Sequence, residues 1–139
     1  MSVTLRAATL ADCEAVWEWN FAPDVRAMSN DPSIVDLARH AAWYVDRLAR
    51  GAFWIVECGG EDVGCVRIDN GRISIALASS ARGKGVGKAG IAAACEAWGK
   101  PVTAQIHNDN QPSRAAFEAC GFVTTGSSER VMTYQWSPA

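Results

Sequence analysis

The sequence predicts an α/β (α+β) domain, a mixed sheet flanked by helices. Three observations carry that expectation. Strand-like and helix-like segments follow one another in the order β-α-α-β-β-β-α-β-α-β-β. A basic, glycine-rich loop joins a strand to a helix within residues 73–98. A second strand–turn–helix unit, residues 102–122, comes directly after it. At 139 residues the chain has the length of one domain, expected over 1–139.

Residues 3–8 alternate and read as an edge strand, and Thr9 or Asp12 can cap a helix running to about Asn20. Residues 21–32 hold two prolines, two aspartates and asparagine, and read as a loop or short turn. Asp36 precedes a helix to about Arg50 with Leu37, His40, Ala41, Tyr44, Val45 and Leu48 at helical spacing, stopped by Gly51. Residues 53–58, 63–69 and 72–77 are expected strands. Residues 59–62 form the first turn between them, and Asn70-Gly71 is a strong hairpin signal at the second. A helix over 86–98 ends at Gly99 and Pro101. A strand at 102–106, a helix at about 111–119 capped by Asn110, and strands from Phe122 and from Arg130 to Trp136 complete the chain.

Net charge is −2, so bulk composition points away from nucleic acid and from an anionic membrane surface. No window approaches ~18 apolar residues, and the N-terminus lacks the apolar core of a signal peptide. Five scattered cysteines without a C-x-x-C pair read as small buried hydrophobes in a reducing cytoplasm. With only two histidines, far apart, no metal is expected. The chain is expected as a monomer or homodimer.

The loop beginning at Arg82 carries most of the information. Gly83, Gly85 and Gly87 let several N–H groups converge, the following helix adds unpaired N–H groups and a positive dipole end, and Arg82, Lys84 and Lys88 add charge. Together they suit a phosphate or pyrophosphate. The P-loop pattern fails, because Arg82 stands where its first glycine belongs and Ala89 where its Ser or Thr belongs. G-x-G-x-x-G does match at Gly85, Gly87 and Gly90, but the distance from the strand end at Leu77 is too long for that fingerprint's tight turn. The pattern Arg/Gln-x-x-Gly-x-Gly/Ala matches fully as Arg82-Gly83-Lys84-Gly85-Val86-Gly87. A second pattern, Asn-x-x-Ser-x-x-x-Phe/Tyr-x-x-x-Gly-Phe, is met by Asn110, Ser113, Phe117, Gly121 and Phe122. In this order and at this separation the two motifs resemble those of the GNAT acyltransferase superfamily.

That resemblance implies a mostly antiparallel sheet with a splayed cleft between the strands at 73–77 and 102–106, and acetyl-CoA as cosubstrate. Backbone groups of Ile75, Ala76 and Leu77 would pair with the pantetheine arm. Arg82, Gly83, Lys84, Gly85, Val86, Gly87 and Lys88 would hold the pyrophosphate. Asn110 and Ser113 would contact the coenzyme, roles compatible with a helix cap and a first-turn hydroxyl. Many members carry a tyrosine as thiolate acid where this chain has Phe117, so the usual acid is absent there. Tyr134 is a candidate substitute. Candidate bases are His107, for its intrinsic pKa, and Asp69 acting through water. Ser74 stands where some acetyltransferases carry Glu. Base assistance through ordered water is the default.

For the acceptor, Trp17-x-Trp19-Asn20, Arg26, His40-x-x-Trp43 and residues 63–69 with 73–75 resemble a subgroup acting on amino groups of nucleotide-linked sugars, including the N-acetyltransferase of the pseudaminic acid pathway. Aromatic faces suit a sugar or base, and Arg26 or Arg67 suits a phosphate. Trp19, Arg26, His40 and Arg67 are the candidate acceptor residues, although at least three of the six tryptophans are expected in the core. The chain therefore reads as an N-acetyltransferase of a small-molecule primary amine, working by direct transfer in a ternary complex. A peptide or protein N-terminal acetyltransferase and a non-catalytic acyl-CoA-binding member are the alternatives.

Overall fold

The computed structural model describes residues 2–29 and 33–139. Its elements are β1 (Val3–Ala7), α1 (Cys13–Asn20), α2 (Pro23–Ala27), α3 (Leu37–Ala49), β2 (Phe53–Cys58), β3 (Glu61–Asp69), β4 (Arg72–Leu77), α4 (Val86–Trp98), β5 (Val102–His107), α5 (Gln111–Ala119), β6 (Val123–Ser127) and β7 (Val131–Trp136). They build one seven-stranded sheet in the order β1-β2-β3-β4-β5-β7-β6. Every neighbouring pair is antiparallel except β4–β5.

Two departures from the expected elements have local causes. The segment predicted as a loop contains α2, a short helix with Pro23 in its first turn, where a missing N–H costs nothing. The rest of that prediction, 30–32, lies outside the described residues. β3 starts at Glu61, so its turn with β2 is two residues, Gly59 and Gly60, rather than four. The hairpin at Asn70-Gly71 is as expected, with both residues at positive φ (52° and 79°).

Alternation along the strands sorts side chains to two faces. On one face α4 and α5, the latter through Phe117, cover Val56, Val66, Ile68, Ile73, Val102, Ala104, Ile106, Phe122 and Tyr134. On the other, α1 and α3 cover Phe53, Ile55, Cys65 and Ala76 through Val16 and Tyr44. No tryptophan is fully buried. Trp19 and Trp43 pack against the second cluster, and Trp54, Trp98 and Trp136 against the first.

Candidate functional site

The cleft comes from a sheet that stops pairing. β3 and β4 are in register from Gly64↔Leu77 to Asp69↔Arg72. β4 and β5 share one parallel pair, Arg72↔Thr103, fixed by the Thr103 N–H donating to the Gly71 carbonyl at 2.8 Å. Beyond that pair the strands part, while β5 stays paired to β7 along its whole length. The backbone of Ile75, Ala76 and Leu77 is thus left without a ladder partner on the β5 side.

Gly64 accommodates this geometry. A Cβ there would lie 2.4 Å from the Ala76 carbonyl oxygen and 3.0 Å from the Leu77 Cα. Only glycine allows β3 to approach the end of β4 so closely.

The glycine-rich loop sits at the open end of the split. Ala78, just past β4, donates to Val63 at 2.7 Å, and a 3₁₀ turn at Ser79–Ala81 leads into the loop. Gly83 and Gly85 have φ of 74° and 79°, and nothing lies within 4 Å of where a Cβ would stand on either. Gly85 is the N-cap of α4, and Val86 is buried beneath the helix start. The first-turn N–H groups therefore face outward between the exposed Lys84 and Lys88, neither of which has a carboxylate partner among the described residues. This is a cationic N–H cradle that side chains do not fill, and its chemistry suits a pyrophosphate.

Arg82 differs from the expected free cation. Its guanidinium is ion-paired with Asp24 of α2 and donates to the Leu77 carbonyl oxygen at 2.9 Å, so it ties α2, the loop and the end of β4 together.

Several other candidates also stand elsewhere than expected. Asp69 is at the closed end of the split, with its oxygens held by Arg47 Nε and Arg50, each at 3.0 Å, so it does not reach the cleft as a base. Phe117 is 3 % exposed and edge-on to Phe122 at 5.0 Å, so its ring belongs to the core and not to a coenzyme surface. Tyr134 is fully buried. Its hydroxyl donates to Glu118 at 2.6 Å and accepts from Arg114 at 3.1 Å, and burial raises its pKa, so it is no ready acid.

His40 is a core residue, 1 % exposed, between Phe21, Trp43 and Tyr44. Its Nε2 lies 3.0 Å from the Cys13 carbonyl oxygen, which can only accept, and burial lowers its pKa. It therefore does not grip an acceptor. Arg26 lies over the Phe21 ring at 4.6 Å on α2. Trp19, on α1, is half-buried against the cluster of Val16, Tyr44, Phe53 and Ile55.

His107 does end β5 at the open side of the split. Its Nδ1 accepts from the Asp109 N–H at 3.2 Å, which leaves Nε2 as the protonated nitrogen. Asn110 caps α5 by accepting from the Ser113 N–H at 3.3 Å. Ser74 pairs with Arg67 on the α1–α3 face of the sheet. Sequence reasoning missed Gly64 and Asp24. Only Gly64 had a signal, as a lone glycine inside a strand pattern. Among the described residues no group of three or more His, Cys, Asp or Glu side chains could hold a metal ion.

This fold and cleft are those of an acyltransferase. The chain matches the family model for the acetyltransferase (GNAT) domain over residues 2–123, and it belongs to that family. Among solved structures it is similar to yncA from Salmonella typhimurium, determined with its cofactor acetyl-CoA (21% identity, TM-score 0.79, covering 99% of this chain and 94% of that one). It is similar to the aminoglycoside acetyltransferase AAC(6')-Ib with ribostamycin and coenzyme A (19%, TM-score 0.83, 99% and 94%). A third is RimL, a ribosomal-protein α-N acetyltransferase, with coenzyme A (18%, TM-score 0.81, 99% and 94%). At these identities the likeness is one of fold. No curated protein matches the sequence.

Proposed function

We propose that this protein transfers an acetyl group from acetyl-CoA to the primary amine of a small molecule, by direct transfer in a ternary complex. The observation that carries this reading is the cationic N–H cradle at α4, left open by side chains, beside the unpaired edge of β4. A pyrophosphate on Gly83, Gly85 and the α4 N-terminus would let the pantetheine arm run along Ile75, Ala76 and Leu77 as an added strand. The coenzyme supplies the activated acyl group. The protein supplies positioning, backbone donors and exclusion of water.

Among the described residues no two side chains stand ready as a general base–acid pair. Phe117 is apolar, the Tyr134 hydroxyl is held by Glu118, and Asp69 is held by two arginines. His107 would have to give up its turn hydrogen bond to take a proton at Nδ1. Deprotonation of the ammonium by ordered water at the open cleft is the reading that needs no rearrangement.

For the acceptor we favour an amino sugar linked to a nucleotide: with His40 and Trp19 in the core packing, Arg26 and Arg67 are the candidates that would meet its phosphates. Five free cysteines, and no helix among the described residues long and apolar enough to cross a membrane, are compatible with a cytoplasmic setting.

The test is a thiol-release assay with acetyl-CoA against amino sugars, nucleotide amino sugars, amino acids and peptides. Release dependent on a small amine supports the proposal. Release with peptides alone would transfer the reading to N-terminal acetylation. No release beyond background with any acceptor would count against an active enzyme.

A further inference from the structure

We propose that the acceptor carries an anionic oxyacid group, a carboxylate or a phosphate, and that Arg67 is the counter-ion waiting for it. The inference rests on the acetyl-transfer reading for where the acceptor lies. With the coenzyme at the α4 end of the split, the acceptor meets it from the α1–α3 face.

Arg67 stands on that face, in one cross-strand row with Phe53 of β2 and Ser74 of β4. Its guanidinium lies over the Trp43 ring at 4.9 Å, and its Nε is buried with no hydrogen-bond partner. Among the described residues it makes no ion pair. Its neighbours Arg47 and Arg50, by contrast, share Asp46 and Asp69. Asp69 is the acid nearest to Arg67 along β3, and its oxygens are already taken by the two α3 arginines. Arg72, on the same face, donates only to the neutral Gln105 amide at 3.1 Å.

A buried, unpaired charge is costly. Most ionisable groups escape by neutralising, and burial does lower the pKa of Arg67, but a guanidinium stays protonated in a protein. The Trp43 ring offsets part of the cost. The rest is left for an incoming anion. Arginine presents a planar fork that matches carboxylate and phosphate oxygens, and Ser74 on the adjacent strand offers a hydroxyl beside it. Arg47 and Arg72 add positive potential at Arg67, which the Asp69 carboxylate offsets in part.

The test is calorimetric binding of two amine pairs, with and without coenzyme A. Glucosamine 6-phosphate against glucosamine probes phosphate, and alanine against alaninamide probes carboxylate. In wild type, the anionic member of one pair should bind about tenfold or more tightly than its neutral partner. The pair that responds identifies the group. Arg67→Met should bring the two members within about twofold of each other, without changing coenzyme A affinity. Arg67→Lys keeps the charge but loses the fork, and should cut the preference about threefold or more. It decides the matter if Arg67→Met does not fold. No preference in either pair, or a preference that survives in these variants, overturns the proposal. Coenzyme A itself failing to bind would instead overturn the acetyl-transfer reading, because the amine pairs are also titrated without it.

Discussion

The guanidinium of Arg82 donates to the carbonyl oxygen of Leu77 at 2.9 Å, and so the first residue of the glycine-rich motif closes over the last residue of β4. The same side chain meets Asp24 of α2. The loop that would take the coenzyme is therefore tied both to the strand that would pair with it and to a helix on the acceptor side.

Asp24 would compete with a bound pyrophosphate for Arg82. Asp24→Asn should tighten coenzyme A binding by a few-fold and steepen its salt dependence, because one more full charge becomes available. Stability should change by less than about 1 kcal/mol, since both side chains are exposed. Calorimetry at two salt concentrations, with a urea melt, measures both. Unchanged affinity would show that Arg82 does not take part.

Gly64→Ala should destabilise the fold by about 1–3 kcal/mol, the usual cost of forcing atoms into a packed site. The Cβ would clash with the Leu77 side chain at 2.6 Å and also with backbone, the Ala76 carbonyl oxygen and the Leu77 Cα, which cannot swing aside. Because relief requires moving the end of β4, coenzyme affinity should fall as well. Urea denaturation and calorimetry on the same preparation test the pair of effects. A loss of stability with coenzyme affinity intact would separate Gly64 from the cleft.

Phe117→Tyr should not restore an acid. The ring is buried against Phe122, so a hydroxyl there would be placed in the core, costing about 1–3 kcal/mol unless it finds a partner. The expected outcome is a lower Tm and no gain in turnover. A stable, faster Phe117→Tyr enzyme would mean that the ring turns toward the cleft.

His40 gives a pH signature. Burial lowers its folded-state pKa below that of the unfolded chain, so below about pH 6.5 the unfolded state binds a proton that the folded state does not. Its contribution to stability is present above that pH and is lost as pH falls toward the folded value. His40→Gln should be less stable at pH 7.5 yet lose less between pH 7 and pH 5. Equal pH slopes for wild type and variant would exclude His40 as the source.

What could be read in the sequence was local chemistry. Asn70-Gly71 marks its hairpin because both positions need positive φ. The loop from Arg82 marks a strand-to-helix N–H cradle because its glycines and lysines are contiguous. What could not be read depends on contacts between distant segments. Nothing in the spacing of Asp69 says that α3 sends Arg47 and Arg50 to it, or that Asp24 reaches Arg82. The aromatic-rich stretch around His40 looks like a ligand surface in one dimension. In three it is a stack over Phe53 that builds the α3–sheet interface. Phe117 sits in a family motif, yet its helical face turns it to Phe122. Gly64 could be noticed as a glycine inside a strand, but its reason, the approach to Ala76, appears only once β3 and β4 are paired.

The central claim is that the cradle at Gly83, Gly85 and the start of α4 binds acetyl-CoA. Calorimetric titration of acetyl-CoA into wild type and into a Gly83→Ala/Gly85→Ala variant, its fold verified by circular dichroism, tests it most directly. Both glycines hold positive φ, and an alanine at either strains the cradle and adds a methyl to the space kept open for the ligand. Saturable binding to wild type that weakens about tenfold or more in the folded variant is the predicted result. No binding to wild type, or equal binding to both proteins, would contradict it.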